Sequence, residues 1–123
     1  MRTIAIIEDK EDNRDLLYYL LRDEFNVLQF SNGEDAVACF SKERPDLIIM
    51  DIRLPGADGI EVLKNVRQDP GLVGIPIIAL TANAMAGDRE KYLSVGFDEY
   101  TAKPIVEIDG FLDTVRRLLA VTD

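Results

Sequence analysis

Residues 46–55 read DLIIMDIRLP. Leu47, Ile48, Ile49 and Met50 are apolar in succession, with no polar residue alternating among them. A strand built from them could turn neither face to water. The run is too short for a helix and is bounded by Pro45 on one side and Pro55-Gly56 on the other. It therefore reads as a strand covered on both faces, and such a strand needs a layer of helices above and below. At its end stands Asp51, a carboxylate against an apolar layer, where its charge is disfavoured unless a partner is provided.

Working outward, similar apolar runs occur at 3–7, 26–30 and 77–80, with a shorter one around 100–102. The 26–30 run is more mixed, which suits a sheet edge. Between the runs, apolar residues recur at helical spacing. Leu16, Leu17, Leu20 and Leu21 form one stripe; Ala36, Val37 and Phe40 a second; Ile60, Leu63 and Val66 a third. Phe111, Leu112, Val115, Leu118 and Leu119 form the last. A fourth helix is expected over 85–95, with Met85, Arg89, Tyr92 and Leu93 on one side and Gly96 as its stop. Ser31-Asn32-Gly33, Pro45, Pro55-Gly56, Asp69-Pro70-Gly71 and Gly74 fall between elements, and Pro76 is expected to open its strand. The pattern is (βα) five times over, an α/β three-layer sandwich with right-handed crossovers.

The chain has 123 residues, enough for one domain with one core, and its 47% hydrophobic and 30% charged residues argue against disorder. No run approaches the roughly 20 apolar residues of a membrane span, and the N-terminus lacks a signal-peptide layout, so a cytoplasmic location with no membrane association is expected. A net charge of −9 without a basic stripe excludes direct nucleic-acid binding as a working idea. With no histidine and a single cysteine, zinc and copper sites are excluded; a metal here must be a hard cation held by oxygens. Cys39, in AVACF, reads as a small core filler rather than a reactive thiol.

In doubly wound sheets, ligands bind beyond the carboxyl ends of the strands. Glu8 and Asp9 follow the first run, Asp51 the third, Thr81 the fourth and Lys103-Pro104 the fifth. Each has an ordinary alternative: Asp9 or Thr81 as a helix cap, Asp51 as a loop residue, Lys103 as a surface lysine. Their joint placement at one end of the sheet points further. Three close carboxylates repel, and a divalent cation or an ammonium relieves them. Mg²⁺ suits such oxygen donors, and Lys103 supplies the ammonium. Asp51 is then an ionised carboxylate able to act as a nucleophile toward phosphorus, with Thr81 offering a hydroxyl to the phosphoryl oxygens.

At this point the motifs IIED at 6–9, LIIMDIRLPGADG at 47–59, IIALTANA at 77–84 and YTAKPI at 100–105 resemble the receiver domains of two-component response regulators, in their stand-alone, chemotaxis-regulator-like form. The resemblance runs from Ile4 to about Ala120 and implies one receiver domain over 1–123 with a flavodoxin-like fold, strand order 2-1-3-4-5. It implies that Asp51 is the phosphoacceptor, that Asp9 and Asp51 hold Mg²⁺ with Glu8 acting through water and the Arg53 backbone carbonyl completing the protein ligands, and that Lys103 contacts the phosphoryl group. It further implies a cis peptide before Pro104 and a switch pair, Thr81 and Tyr100, reshaping the face of helix 4, strand 5 and helix 5. The implied partners are a histidine kinase or histidine phosphotransfer protein and a downstream protein target, with the chain a monomer or a phosphorylation-dependent dimer and not a metabolic enzyme. Ile105, Val106 and Ile108 fall near that face. The first acid is Glu8 where many members carry Asp, and Arg53 and Asn83 occupy positions that in this family influence how fast the phosphoryl group is lost.

Three other classes compete. A flavin carrier on this fold needs a Ser/Thr/Gly-rich phosphate loop where this chain has EDKEDN. A phosphatase with an aspartate nucleophile, of the haloacid-dehalogenase type, needs a second aspartate where Arg53 stands. A receiver used only as a phosphorylation-independent binding surface would not need the full set of site residues.

Overall fold

A computed structural model describes residues 1–56, 58–82 and 85–121, with the side chain of Val121 not described; Asn83 lies outside this range. Five strands, β1 (Thr3–Ile7), β2 (Asn26–Phe30), β3 (Leu47–Asp51), β4 (Ile77–Thr81) and β5 (Glu99–Ala102), alternate with α1 (Glu11–Leu21), α2 (Gly33–Phe40), α3 (Gly59–Gln68), α4 (Asp88–Val95) and α5 (Ile108–Val121). The strands pair in parallel in the order β2-β1-β3-β4-β5. The mixed 26–30 run is indeed an edge.

The continuous apolar runs divide by parity, because successive side chains of a strand point to opposite faces. Ala5, Ile7, Ile48, Met50, Ile77 and Ala79 face one core with Ala36 and Phe40 of α2 and Val62, Leu63 and Val66 of α3. Ile4, Ile6, Leu47, Ile49, Ile78 and Leu80 face the other with Leu17 and Leu21 of α1 and Phe111, Val115, Leu118 and Leu119 of α5. All twelve strand residues are fully buried, and each large one contributes about 1.5–3 kcal/mol relative to exposure. That is why the run from Leu47 to Met50 admits no polar residue before Asp51.

The structure revises several local expectations. β3 and β4 each run one residue further, so that Asp51 and Thr81 close their strands. Ile52 N–H donates to the Leu80 carbonyl and Lys103 N–H to that of Thr81, which extends the ladder past those ends. β4 begins at Ile77; Pro76 precedes it and offers only its carbonyl, to Ile48 N–H. Leu16 is exposed, because the buried stripe of α1 runs through Leu17 and Leu21. Cys39 is half-buried, since Ala36 and Phe40 carry the packing of α2.

The largest difference is at α4, which starts at Asp88, not at residue 85, and buries no residue. Gly87 before it has φ +87°, a left-handed conformation suited to glycine, and Met85 lies outside the helix, exposed. The helix is moored through Tyr92, whose ring stacks on Tyr100 at 5.7 Å between centroids and meets Phe97 edge-on. An ion pair from Arg89 to Glu99 adds a polar tether.

Candidate functional site

The order of strands reverses between β1 and β3, the place where a crevice opens at their carboxyl ends. Ile7 lies beside Met50 and Asp51 beside Leu80 in the sheet register. The residues that follow β1 and end β3 are therefore neighbours, and Lys103 comes in from beyond β5. Glu8 is fully buried, Asp51 and Thr81 nearly so, while Asp9 is exposed at the mouth.

Glu8, Asp9 and Asp51 bring one carboxylate oxygen each to within 4.8 Å of one another. Lys103 Nζ donates to Glu8 Oε1 and to Asp51 Oδ2, both at 2.7 Å. Asp51 Oδ1 accepts from the Arg53 backbone N–H at 3.0 Å, so both its oxygens are oriented. Burial pushes the Glu8 carboxyl above the ordinary range; the hydrogen bond from Lys103 opposes this and the adjacent Asp51 carboxylate adds to it. Burial opposes the charge of Lys103, but hydrogen bonds to Asp51 and Glu8 outweigh it and hold its pKa above the usual value.

The ordinary alternatives for three of these residues do not match their surroundings. Lys10, not Asp9, occupies the N-cap of α1, and Gly87, not Thr81, that of α4. Neither side chain is spent on a helix end. Asp51 belongs to the strand, not to a loop.

The remaining expected residues fall on β5, the segment after it and the start of α5. The Lys103–Pro104 peptide is cis. Tyr100, in β5, packs its ring against the α3–α4 side of the sheet, with its hydroxyl buried and without a hydrogen-bond partner in the described structure. Burial and the nearby Asp88 carboxylate push that phenol above its ordinary pKa. Val106 and Ile108 are exposed, whereas Ile105 packs partly against the α1–α5 core.

The donor set fits a hard divalent cation. Three carboxylates face a single ammonium, so negative charge remains at the mouth, and every group offered is an oxygen. The chemistry available is that of an oriented, ionisable carboxylate beside fixed positive charge, in a partly water-excluded crevice.

Sequence reading did not single out Arg14. Its guanidinium donates to the Glu8 carbonyl at 2.9 Å and to that of Asp9 at 3.4 Å. Nor did it find Arg67, Asp98 and Glu99, which tie elements together elsewhere. An arginine one turn into the helix after an acid pair was the available signal, but its acceptors are backbone atoms that residue types do not reveal.

Comparison with known proteins agrees with this geometry. Residues 4–116 match the family model of the response regulator receiver domain. The chain is 38% identical over 119 residues to the polar-differentiation response regulator DivK of Brucella anthropi, covering 96% of each chain. A response regulator from Chloroflexus aurantiacus superposes with a TM-score of 0.90 at 32% identity, covering 97% of this chain and 98% of that one. The receiver domain of a sensor histidine kinase from Pseudomonas aeruginosa, solved with a magnesium ion coordinated in its active-site cleft, superposes with a TM-score of 0.86 at 34% identity over 97% and 98%.

Proposed function

The chain belongs to the response regulator receiver domain family of two-component signalling, and from that premise we propose that it is a phosphorylation-dependent switch whose acceptor is Asp51. The observation that carries this reading is the 2.7 Å bridge of Lys103 Nζ to both Glu8 and Asp51, with Asp9 beside them. One carboxylate beside fixed positive charge and two further acids supports the reading of Asp51 as the nucleophile.

The donor is a phosphohistidine on a histidine kinase or histidine phosphotransfer protein, which suits a chain without histidine. An Asp51 carboxylate oxygen attacks phosphorus. As the O–P bond forms, the N–P bond breaks and its electron pair returns to the donor imidazole, which takes a proton from solvent. Lys103 stays close enough to follow the charge onto the phosphoryl oxygens. A magnesium ion held by Asp9, Asp51 and the Arg53 carbonyl, with Glu8 acting through water, would supply further positive charge against those oxygens.

Thr81, at the end of β4, then hydrogen-bonds a phosphoryl oxygen, and Tyr100 adjusts its packing beside it. The element that moves is α4: it buries no residue and is held chiefly through Tyr92 and Arg89. A single charge event can bias such a lightly held helix between two packings. The reshaped face of α4, β5 and α5 binds a downstream protein, and it also offers a route to a phosphorylation-dependent dimer. Among the described residues no helix is long and apolar enough to cross a membrane. We place the chain in the cytoplasm, as one receiver domain with no metabolic activity and no nucleic-acid contact of its own.

Incubation with acetyl phosphate and MgCl₂, followed by intact mass, tests the reading. A single phosphoryl adduct on the native chain that disappears in Asp51→Asn is expected. An adduct that persists in that variant would remove Asp51 from the role. A pull-down comparing the beryllofluoride-treated with the untreated chain tests the partner surface.

A further inference from the structure

The segment joining β1 to α1 carries two of the three site acids; the Glu8 N–H continues the ladder to the Phe30 carbonyl at 3.0 Å, but the start of α1 adds no side-chain cap beyond it. Lys10 is the N-cap of α1 and makes no side-chain capping bond. Its N–H reaches Glu8 Oε2 only at 3.4 Å. Asp9 is exposed and no cap. What reaches back over this segment is Arg14, half-buried on α1, whose Nη1 donates to the Glu8 carbonyl at 2.9 Å and the Asp9 carbonyl at 3.4 Å.

We propose that Arg14 is a positioning residue for the acid site: it sets the direction in which Glu8 and Asp9 present their carboxylates, and so tunes the affinity for a divalent cation. Glu8 is fully buried, so its carbonyl needs a donor from within the protein. The guanidinium is suited to the task because one planar group can serve two successive carbonyls while remaining charged. Because it engages the carbonyls and not the carboxylates, the Glu8 and Asp9 side chains can still converge with Asp51, each bringing one oxygen to within 4.8 Å of the others. The inference rests on the reading of those acids as a magnesium site.

Arg67 is the internal control. It too clamps backbone carbonyls, those of Val73, Ile75 and Gly96. These precede β4 and β5 at the amino end of the sheet, away from the acids. A merely structural arginine should behave like Arg67.

The test is a titration of the ¹⁵N-labelled chain with MgCl₂, following amide shifts, with the melting temperature measured on the same samples in EDTA. Relative to the native chain, Arg14→Met should weaken Mg²⁺ binding about tenfold, the lower end of the range for groups that orient metal ligands. Arg14→Lys, which keeps one donor, should fall between, and it carries the test if the Met variant does not fold. Arg67→Lys should lower the melting temperature and leave the Mg²⁺ affinity within about twofold of native, as expected for a site it does not orient. Native affinity in both Arg14 variants would overturn the proposal, as would an equal loss of affinity in Arg67→Lys. A native chain that binds no Mg²⁺ would instead overturn the magnesium reading itself, and the two failures are thereby told apart.

Discussion

At the amino end of the sheet, Arg67 donates to three carbonyls and pairs with Asp98 at 2.8 Å, while Asp98 also accepts from the buried Ile77 N–H. At the carboxyl end, Lys103 faces two carboxylates directly and a third stands at the mouth. Both ends use one cation against acids. The first pairs one acid with one base and ties the segments before β4 and β5 to the end of α3. The second leaves excess negative charge beside an apolar layer, and that excess is what a ligand can use. One end favours stability alone; the other gives up stability by keeping uncompensated charge in place.

The contrast is open to attack by mutation, and the largest effect is expected where backbone meets backbone. A Cβ on Gly59 would lie 2.7 Å from the Asp51 carbonyl oxygen and 2.8 Å from Ile52 Cα, and neither atom can swing aside. Gly59→Ala should therefore destabilise by about 3 kcal/mol and also displace Asp51, reducing phosphoryl uptake; chemical denaturation and intact mass measure the two losses. An effect on stability alone would mean that α3 moves without dragging the end of β3.

Asp98→Ala comes next. It strands the Ile77 N–H, and the expected loss is about 2 kcal/mol with Mg²⁺ affinity untouched, read by urea denaturation and a MgCl₂ titration. Weakened Mg²⁺ binding here would erase the distinction between the ends. Asp9→Asn should do the reverse. It removes one of three repelling carboxylates, so in EDTA the chain should gain up to about 1 kcal/mol, while the rise in melting temperature produced by MgCl₂ should shrink.

The smallest effects are in pH dependence, without metal. Glu8 has a raised folded pKa, so the folded chain holds a proton that the unfolded chain has already lost. Stability should fall as pH climbs from the ordinary carboxylate value to the raised one, and Glu8→Gln should flatten that slope. Lys103 is also raised. Its contribution is complete below the ordinary lysine pKa and is lost as pH rises through the folded value, so Lys103→Met should remove that alkaline limb. Melting curves across pH in EDTA would show both.

Much of this molecule can be read from the chain alone where the cause is local. The parity of IIAL and DLIIM and the leucine spacing of α5 place strands and helices because burial of alternate or fourth residues is a local pattern. The helix at 88–95 was harder for the same reason: it buries nothing, so its periodicity carries no packing signal, and its start is set by the backbone of Gly87. The site acids stood out because a carboxylate after an apolar run is conspicuous. Arg14 did not, since its acceptors are main-chain carbonyls.

By itself, then, the sequence determined the alternation of strands and helices and the residues at the strand ends, because hydrophobic period and side-chain chemistry are properties of neighbours in the chain. Only the tertiary structure decided that Lys103 meets Glu8 and Asp51, and that Arg14 rather than a cap holds the acid pair. Those contacts depend on which strands lie side by side and on where backbone carbonyls point. Both are settled when the sheet closes its register, not by any one residue's character.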